Sequence, residues 1–312
     1  MGVPLVSVCL ITYNHVKFIR QALDGVISQK VNFEWELIIA DDDSKDGTRD
    51  ILLDYANRYR STIRLLLQEK NVGAARNWLD LIISARGKYI AYLEGDDFWL
   101  NENRLSKLVS FLEDNRGYTA VFHNANVIMD NTISHARLPN YNSWETERDL
   151  SIIDLIDSGI HCPIASVSLI FRRKSISDEE IAEISMLGFG DRPLEILLAY
   201  RGKIRYFPEA MAVYRKNTQS ATAKFNWFKF EKDYEDVFLF VNRKLNFEFD
   251  ERINLQLKGI YVTAAHQYFG LKMYQNFKES FYKIRKFTTP SDFFTSTFVK
   301  LYTKYLLALL LR

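Results

Sequence analysis

Three carboxylates fall within four positions of YIAYLEGDDFWL, residues 89–100: Glu94, Asp96 and Asp97, with Gly95 among them, between an apolar run and the aromatics Phe98 and Trp99. Carboxylates this close repel one another unless a cation neutralises them. Hard oxygen ligands select Mg²⁺ or Mn²⁺, and Mg²⁺ takes one or two protein carboxylates while water and substrate phosphates complete its shell. The glycine allows a tight turn and the close approach of a ligand. The chemistry suggested is a divalent cation bridging the protein to a diphosphate, although an acidic solvated turn would explain these four residues taken alone. A second acidic stretch, DDDSKDGT at residues 41–48, also has two readings. Ser44 and the aspartates suit a helix N-terminus. Asp41, however, closes another apolar run, where its carboxylate could accept the imide N–H of a uracil ring. Thr12 and Asn14, in TYNH, offer further hydrogen-bonding groups at the end of a third run.

These runs have the length and composition of strands, and helical periods separate them. Leu5–Thr12, Glu36–Ala40, Ile63–Leu67 and Tyr89–Leu93 read as buried strands. Phe18, Ile19, Ala22, Leu23, Val26 and Ile27 share one helical face. Ile51, Leu52, Tyr55 and Tyr59 repeat the pattern with Ser44 as the expected N-cap, and Ala74–Ser84 is helical. This βαβαβαβ order predicts a mostly parallel sheet with helices on both faces. Such sheets bind ligands at the carboxyl ends of their strands, so topology carries the three polar tips to one edge. Past residue 118 the pattern becomes α+β. YTAVFHNANVIMD reads as a long strand or a strand pair, and SVSLIFRR as a strand. Ser177 and Glu180 stand in capping-box spacing before a helix. RPLEILLAYR is a helix stopped by Gly202, and KIRYFPEAMAVYR is a two-strand segment. After Ala223 the chain reads as helical and rich in Phe, Tyr and Lys.

Over 312 residues, 47% are hydrophobic and 26% charged, a globular balance. A net charge of +2 gives no electrostatic case for nucleic acid as a partner. Cys9 and Cys162 lack metal-ligand spacing, and a buried thiol at Cys9 fits a reducing, cytoplasmic compartment. The N-terminal apolar run lacks the features of a secretory signal and is too short to cross a bilayer. The last apolar run, Tyr305–Leu311, is also too short to span. It reads either as a helix packed on the domain or as an amphipathic helix lying on a membrane. His123 reads as a hydrogen-bonded interior histidine, and His161 and Cys162 as structural.

Taken in order, VSVCLITYNHVKFIRQALDGVISQ, ELIIADDDSKDGT, NVGAARN, KYIAYLEGDDFW, AVFHNANVI, SVSLIFRR and GDRPLEILLAYRGKIRYFPEAMAVYRKN resemble the successive motifs of family 2 glycosyltransferases over roughly residues 3–220. The resemblance is to inverting enzymes of the GT-A fold, in the subgroup with a Glu-Gly-Asp-Asp-aromatic-Trp motif that builds bacterial surface polysaccharides. It implies a GT-A domain over residues 1–222, with a nucleotide-sugar half at 1–117 and an acceptor-side half at 118–222, followed by a helical region at 223–312. It places Thr12, Asn14, Asp41 and Asp42 in the nucleoside pocket, with Asp41 reading the base, and Arg76 near the nucleotide. Glu94, Asp96 and Asp97 match the metal- and ribose-binding motif, with Asp96 or Asp97 as the direct ligand of Mn²⁺ or Mg²⁺. Asp191, in GFGDRPL, matches the catalytic base; from its residue type alone it reads as a helix N-terminal aspartate beside Pro193.

One departure concerns the histidine that often follows YR in the family: here Asn217 stands in that segment. An amide is a poorer ligand for Mn²⁺ than imidazole, so Asn217 is a weak metal-ligand candidate and Arg215 or Lys216 a candidate for the diphosphate. The implied reaction moves a hexose or N-acetylhexosamine from a nucleoside-diphosphate sugar, with UDP the expected nucleotide, to a hydroxyl of a saccharide or lipid-linked oligosaccharide on a growing cell-surface glycan. The implied location is cytoplasmic or peripheral on the inner face of the plasma membrane, through the C-terminal helix. A noncatalytic nucleotide-sugar-binding protein is the main rival. A sugar-phosphate nucleotidylyltransferase is disfavoured, because it would want a Gly-rich loop after the first strand and TYNHVKF has no glycine.

Overall fold

The computed structural model describes residues 2–129, 132–138, 144–159, 163–188, 190–216, 227–287 and 295–310. The chain divides into two compact units, one of Met1–Leu155, His161–Met186 and Gly190–Ser220, the other of Ile156–Ile160, Leu187–Phe189 and Ala221–Arg312.

The first unit begins with the alternation that its hydrophobic periods predict: β1 (Val6–Thr12), α1 (Ile19–Ile27), β2 (Trp35–Asp41), α2 (Thr48–Arg58), β3 (Ile63–Leu67), α3 (Ala74–Ile83) and β4 (Tyr89–Glu94). The strands line up parallel in the order β3-β2-β1-β4. Their apolar residues are buried on both faces, including Val8 and Leu10 of β1, Leu37 and Ile39 of β2, and Ala91 and Leu93 of β4, as a sheet covered by helices requires. Register brings the polar tips together: Thr12 pairs with Asp41, and Ile11 with Glu94. Three strand tips therefore end level with one another.

The sheet continues through β5 (Phe98–Trp99), α4 (Arg104–Asp114), β6 (Tyr118–Met129), β7 (Thr132–Leu138), β8 (Arg148–Leu150), α5 (Ile152–Asp157), β9 (Ile170–Arg172), α6 (Asp178–Ser185), α7 (Asp191–Arg201) and β10 (Lys203–Lys216). β9 runs antiparallel between β4 and β6, and β10 lies parallel to β6 with β5 beyond it. Three local expectations are corrected. The segment expected as two strands is the single strand β10, irregular between Phe207 and Ala212; Pro208 has no N–H for the ladder, so the strand bulges there instead of ending. SVSLIFRR is a 3₁₀ turn at Ser166–Ser168 and only then a strand. Ser44 does not cap α2. The N-cap position is Gly47, and Asp46 before it accepts the Thr48 N–H and Oγ1–H at 3.0 and 2.6 Å. The capping box at Ser177 and Glu180 is present as expected.

At the amino end of the sheet a buried carboxylate is fully satisfied. Glu36 accepts Ser7 Oγ and the Arg86 guanidinium; burial works to raise its pKa, but these bonds hold it below the usual value. Beside it Gly87 packs so tightly that a Cβ would lie 2.4 Å from the Ser7 backbone nitrogen. Gly87→Ala should therefore lower stability by about 1–3 kcal/mol in urea unfolding.

The second unit is helical among its described residues: α8 (Trp227–Lys244), α9 (Asp250–Gly270), α10 (Tyr274–Lys286) and α11 (Ser296–Leu310). Its core holds Phe238, Val241, Tyr261, Phe277 and Phe281, with Tyr305 stacked on Phe281 at 4.6 Å. Among the described residues no helix is long and apolar enough to cross a membrane.

Candidate functional site

The loops after β1 and β2 are stitched together by their own polar side chains. Asn14 takes a left-handed backbone, φ 55°, which asparagine tolerates better than most residues. Its N–H donates to Ser44 Oγ at 2.8 Å, and its Oδ1 accepts the Lys45 N–H at 2.9 Å. Asp46 Oδ2 accepts the Val16 N–H. Asn14 and Ser44, expected to bind ligand and to cap a helix, thus shape the rim of the site.

Asp41 is wholly buried at the tip of β2. Its Oδ2 accepts Arg49 Nε at 2.7 Å and the Ser44 N–H at 3.3 Å. Its Oδ1 is buried with no partner. Leaving a buried acceptor unmet costs about 1–3 kcal/mol, so this oxygen is suited to a donor that arrives with a ligand. Asp42 differs. Both its oxygens are taken, by the N–H groups of Val72 and Gly73 at 2.7 and 3.0 Å, which fixes the turn into α3 at Gly73, φ 87°. Arg76 is exposed in the first turn of α3 and pairs with Asp80 at 2.9 Å.

At the tip of β4, Glu94 accepts Ser166 Oγ at 2.9 and 3.1 Å. Gly95 sits against β1: a Cβ there would lie 2.6 Å from Thr12 Oγ1 and 2.8 Å from His15 Nδ1. Thr12 Oγ1 and His15 Nδ1 are themselves 3.2 Å apart. Asp96 is half-buried. Asp97 is buried; its Oδ1 accepts the Arg215 N–H at 2.7 Å, and its Oδ2 has no partner. The Arg215 guanidinium bonds the Asp96 carbonyl and Gln21 Oε1, and lies over the rings of Phe18 and Phe98. Asp191 stands at the first position of α7, its Oδ1 accepting the Arg192 N–H at 2.8 Å.

The electrostatics join these groups. Burial, with the charges of Asp96 and Asp191, pushes Glu94 up to about 8 despite the Ser166 bond. Burial, with Glu94 and Asp96, holds Asp97 well above the usual carboxylate range, opposed by Arg215. Asp191 has an accessible carboxylate ringed by protein; the loss of bulk water raises its pKa, while Arg192 opposes the shift. Burial lowers His15, against the pull of Asp96, Asp46 and Asp41. Asp191, Glu94, Asp96 and Asp97 thus lie within one field, and His15 lies within reach of both Asp96 and Asp41. Arg215 offsets only part of the repulsion in such a cluster. The unpartnered Asp97 Oδ2 and the half-buried Asp96 fit a hard divalent cation. Among the described residues no three acidic, histidine or cysteine groups are set to hold a metal by themselves.

Sequence reasoning gave no role to Arg49, Ser166 and His15, which surround these carboxylates, or to Gln21, which holds the Arg215 guanidinium, although all four lie in or beside the stretches that carry the resemblance. His123 is the interior histidine expected: its Nε2 accepts Arg104 Nε at 2.7 Å, and burial holds it well below its usual pKa. Asn217, His161 and Cys162 lie outside the described residues.

Residues 7–178 match the profile of Glycosyl transferase family 2, and the chain belongs to that family. Its fold is GT-A, the mostly parallel central sheet flanked by helices with further helices at the C-terminus. The chain is similar to TarS 1-349 of S. aureus in complex with UDP-GlcNAc, with a TM-score of 0.59, 16% identity, and 97% of this chain and 91% of that one covered. It is 37% identical over 211 residues to the uncharacterized protein Rv1520 of Mycobacterium tuberculosis, covering 68% of this chain and 58% of that relative. It is 33% identical over 129 residues to the Escherichia coli UDP-Glc:alpha-D-GlcNAc-diphosphoundecaprenol beta-1,3-glucosyltransferase WfgD, covering 41% of this chain and 49% of WfgD.

Proposed function

We propose that this chain is an inverting glycosyltransferase that moves a hexosyl or N-acetylhexosaminyl group from a UDP-sugar to an acceptor hydroxyl of a bacterial surface glycan. The observation that carries the reading is the level ending of β1, β2 and β4, beside the unmet Asp41 and Asp97 oxygens. The proposed catalytic domain is residues 1–222, with the helical region at 223–312.

Asp41 Oδ1 accepts the imide N–H of uracil, while Arg49 keeps the other oxygen occupied and the carboxylate oriented. Thr12 and the Asn14 loop line the nucleoside, and Glu94 with Asp96 receives the ribose hydroxyls. Gly95 leaves room for the diphosphate to lie close to the backbone, and Arg215 flanks it. Asp96 and Asp97 would hold Mn²⁺ or Mg²⁺ with the diphosphate, together with Asn217 if its amide oxygen reaches the ion. When bound, that ion supplies positive charge against the departing diphosphate. Asp191, whose Oδ1 is held by the Arg192 N–H, takes the proton of the attacking hydroxyl on its other oxygen. The hydroxyl attacks the anomeric carbon from the face opposite the diphosphate. The C–O bond to the acceptor forms as the bond to the diphosphate breaks, so configuration inverts. Release of the nucleoside diphosphate from a panel of UDP-, GDP- and dTDP-sugars with Mn²⁺ or Mg²⁺ tests the reading; turnover of none of them would reject it. The surface-glycan acceptor is favoured by the likeness to WfgD.

The helical region would dock on the membrane that carries a lipid-linked acceptor. α11 exposes Val299, Tyr302, Leu306 and Leu307, with Lys300 exposed beside them and Arg285 and Lys286 exposed at the end of α10. Apolar groups backed by basic ones suit an anionic bilayer surface. The double variant Leu306→Glu, Leu307→Glu should lower partitioning onto anionic vesicles at least about tenfold. A chain ending at Phe298 that sediments with vesicles as the full chain does would rule this out.

A further inference from the structure

The 3₁₀ turn at Ser166–Ser168 carries the hydroxyl that donates to Glu94 at 2.9 and 3.1 Å. Two carbonyls at this turn bond locally: Ala165 O accepts the Ser168 N–H and Oγ–H, and Ser166 O accepts the Leu169 N–H. The Val167 carbonyl accepts two side chains instead, Arg104 Nη2 at 3.2 Å and Trp99 Nε1 at 3.3 Å. The Arg104 guanidinium lies 4.1 Å from the Trp99 ring, so a cation–π pair meets one oxygen. His123 fixes the guanidinium in turn. Its Nδ1 bonds the Asn124 carbonyl, which only accepts, so the proton is on Nδ1 and the Nε2 lone pair takes Arg104 Nε at 2.7 Å.

Stability does not explain Arg104. It is wholly buried, and burial pushes its pKa down to about 9 with no carboxylate beside it to oppose the shift. It also opens α4, where a cation runs against the helix dipole. A buried charge without a carboxylate is destabilising, and an apolar side chain of similar volume would suit the core better. Trp99, His123 and Val167 are buried as well, so the cluster is closed to solvent and meets no ligand itself. What the guanidinium provides is direction: its planar fork reaches His123 with one nitrogen and the Val167 carbonyl with another.

We propose that Arg104 is a positioning residue for donor binding: with Trp99 it fixes the Val167 carbonyl, the turn then presents Ser166 to Glu94, and Glu94 is held to receive the ribose hydroxyls. The inference rests on the UDP-sugar reading given above. A residue with no access to the ligand thereby sets nucleotide affinity through one carbonyl and one hydroxyl. The ribose is held alike before and during transfer, so losing this support raises KM and leaves kcat in place.

Calorimetric titration of the full chain with UDP and Mn²⁺ tests this, with donor KM and kcat measured alongside. Ser166→Ala should weaken UDP about tenfold. Arg104→Lys keeps the charge but cannot serve His123 and Val167 together, and it should weaken UDP by a similar factor. Trp99→Phe keeps the ring under the guanidinium and removes one donor to the same carbonyl; a loss of about threefold is expected, and this variant carries the test if Arg104→Lys does not fold. The deciding measurement is the double variant. If Arg104 acts through Ser166, Arg104→Lys with Ser166→Ala loses about tenfold, as Ser166→Ala does alone; independent effects would multiply to about a hundredfold. Trp99→Phe with Ser166→Ala should likewise add nothing to Ser166→Ala. Multiplying losses, a fall in kcat at unchanged KM, or natural UDP affinity in the single variants would overturn the positioning role while the donor reading stands. A natural chain that binds no UDP would reject the donor reading, and this proposal with it.

Discussion

Asp191→Asn should bind donor as the natural chain does and turn it over about 10²–10⁴-fold more slowly. The variant keeps the shape of the side chain, and its amide oxygen can still accept the Arg192 N–H that orients Asp191 at the start of α7. What it loses is the ability to receive a proton. Isothermal titration with UDP should give an unchanged affinity while kcat collapses. The pH profile gives an independent check. The loss of bulk water around the Asp191 carboxylate raises its pKa, and the ionised form is the one that acts as base. Activity should therefore fall as pH drops through that raised pKa, an acid limb above the ordinary aspartate value near 3.9. In the variant the residual rate should lose this limb. A variant with natural turnover would remove Asp191 from the chemistry.

Removing divalent cation should cost at least about 10²-fold in turnover, and Asp96→Asn should reproduce much of that loss. The strand-tip carboxylates repel one another strongly enough to help burial push Glu94 up to about 8. Arg215 is the cation that the chain itself sets beside them, and it is already engaged with the Asp96 carbonyl and Gln21. A bound ion would relieve this repulsion and meet the unpartnered Asp97 Oδ2. In thermal melts, Mn²⁺ with UDP should stabilise the natural chain more than the sum of either alone, since the shell is completed by diphosphate oxygens. Asp96→Asn should lose that extra increment. Full turnover in excess chelator would exclude a cation from the reaction.

The sheet was legible because each strand and helix announces itself by a local period, and because β and α alternate strictly through β4. The convergence of Thr12, Asp41 and Glu94 came from that order alone. What stayed hidden depends on partners distant in sequence. Nothing near Asp41 marks Arg49 as holding one of its oxygens, and nothing near Glu94 marks Ser166, 72 positions away. Asp42 looked like Asp41, its neighbour, but alternation along β2 and the path of the next turn direct its carboxylate to backbone N–H groups. The misreading of Ser44 has a similar source. Ser44 is a good cap by type, but the β1 loop claims it through the Asn14 N–H, and the helix begins only after Gly47. The two-strand reading of β10 fails because β6 carries the ladder past Pro208 on the far side of the bulge.

The missing side chain of Gly95 has a consequence for how the site responds to its occupants. With Thr12 and His15 seated where a Cβ would be, the first and fourth strands meet at their ends in close contact, so a displacement of one loop presses on the other. Occupancy on the nucleoside side and occupancy on the cation side then become linked equilibria. Whatever factor one ligand adds to the other's affinity must appear identically in reverse.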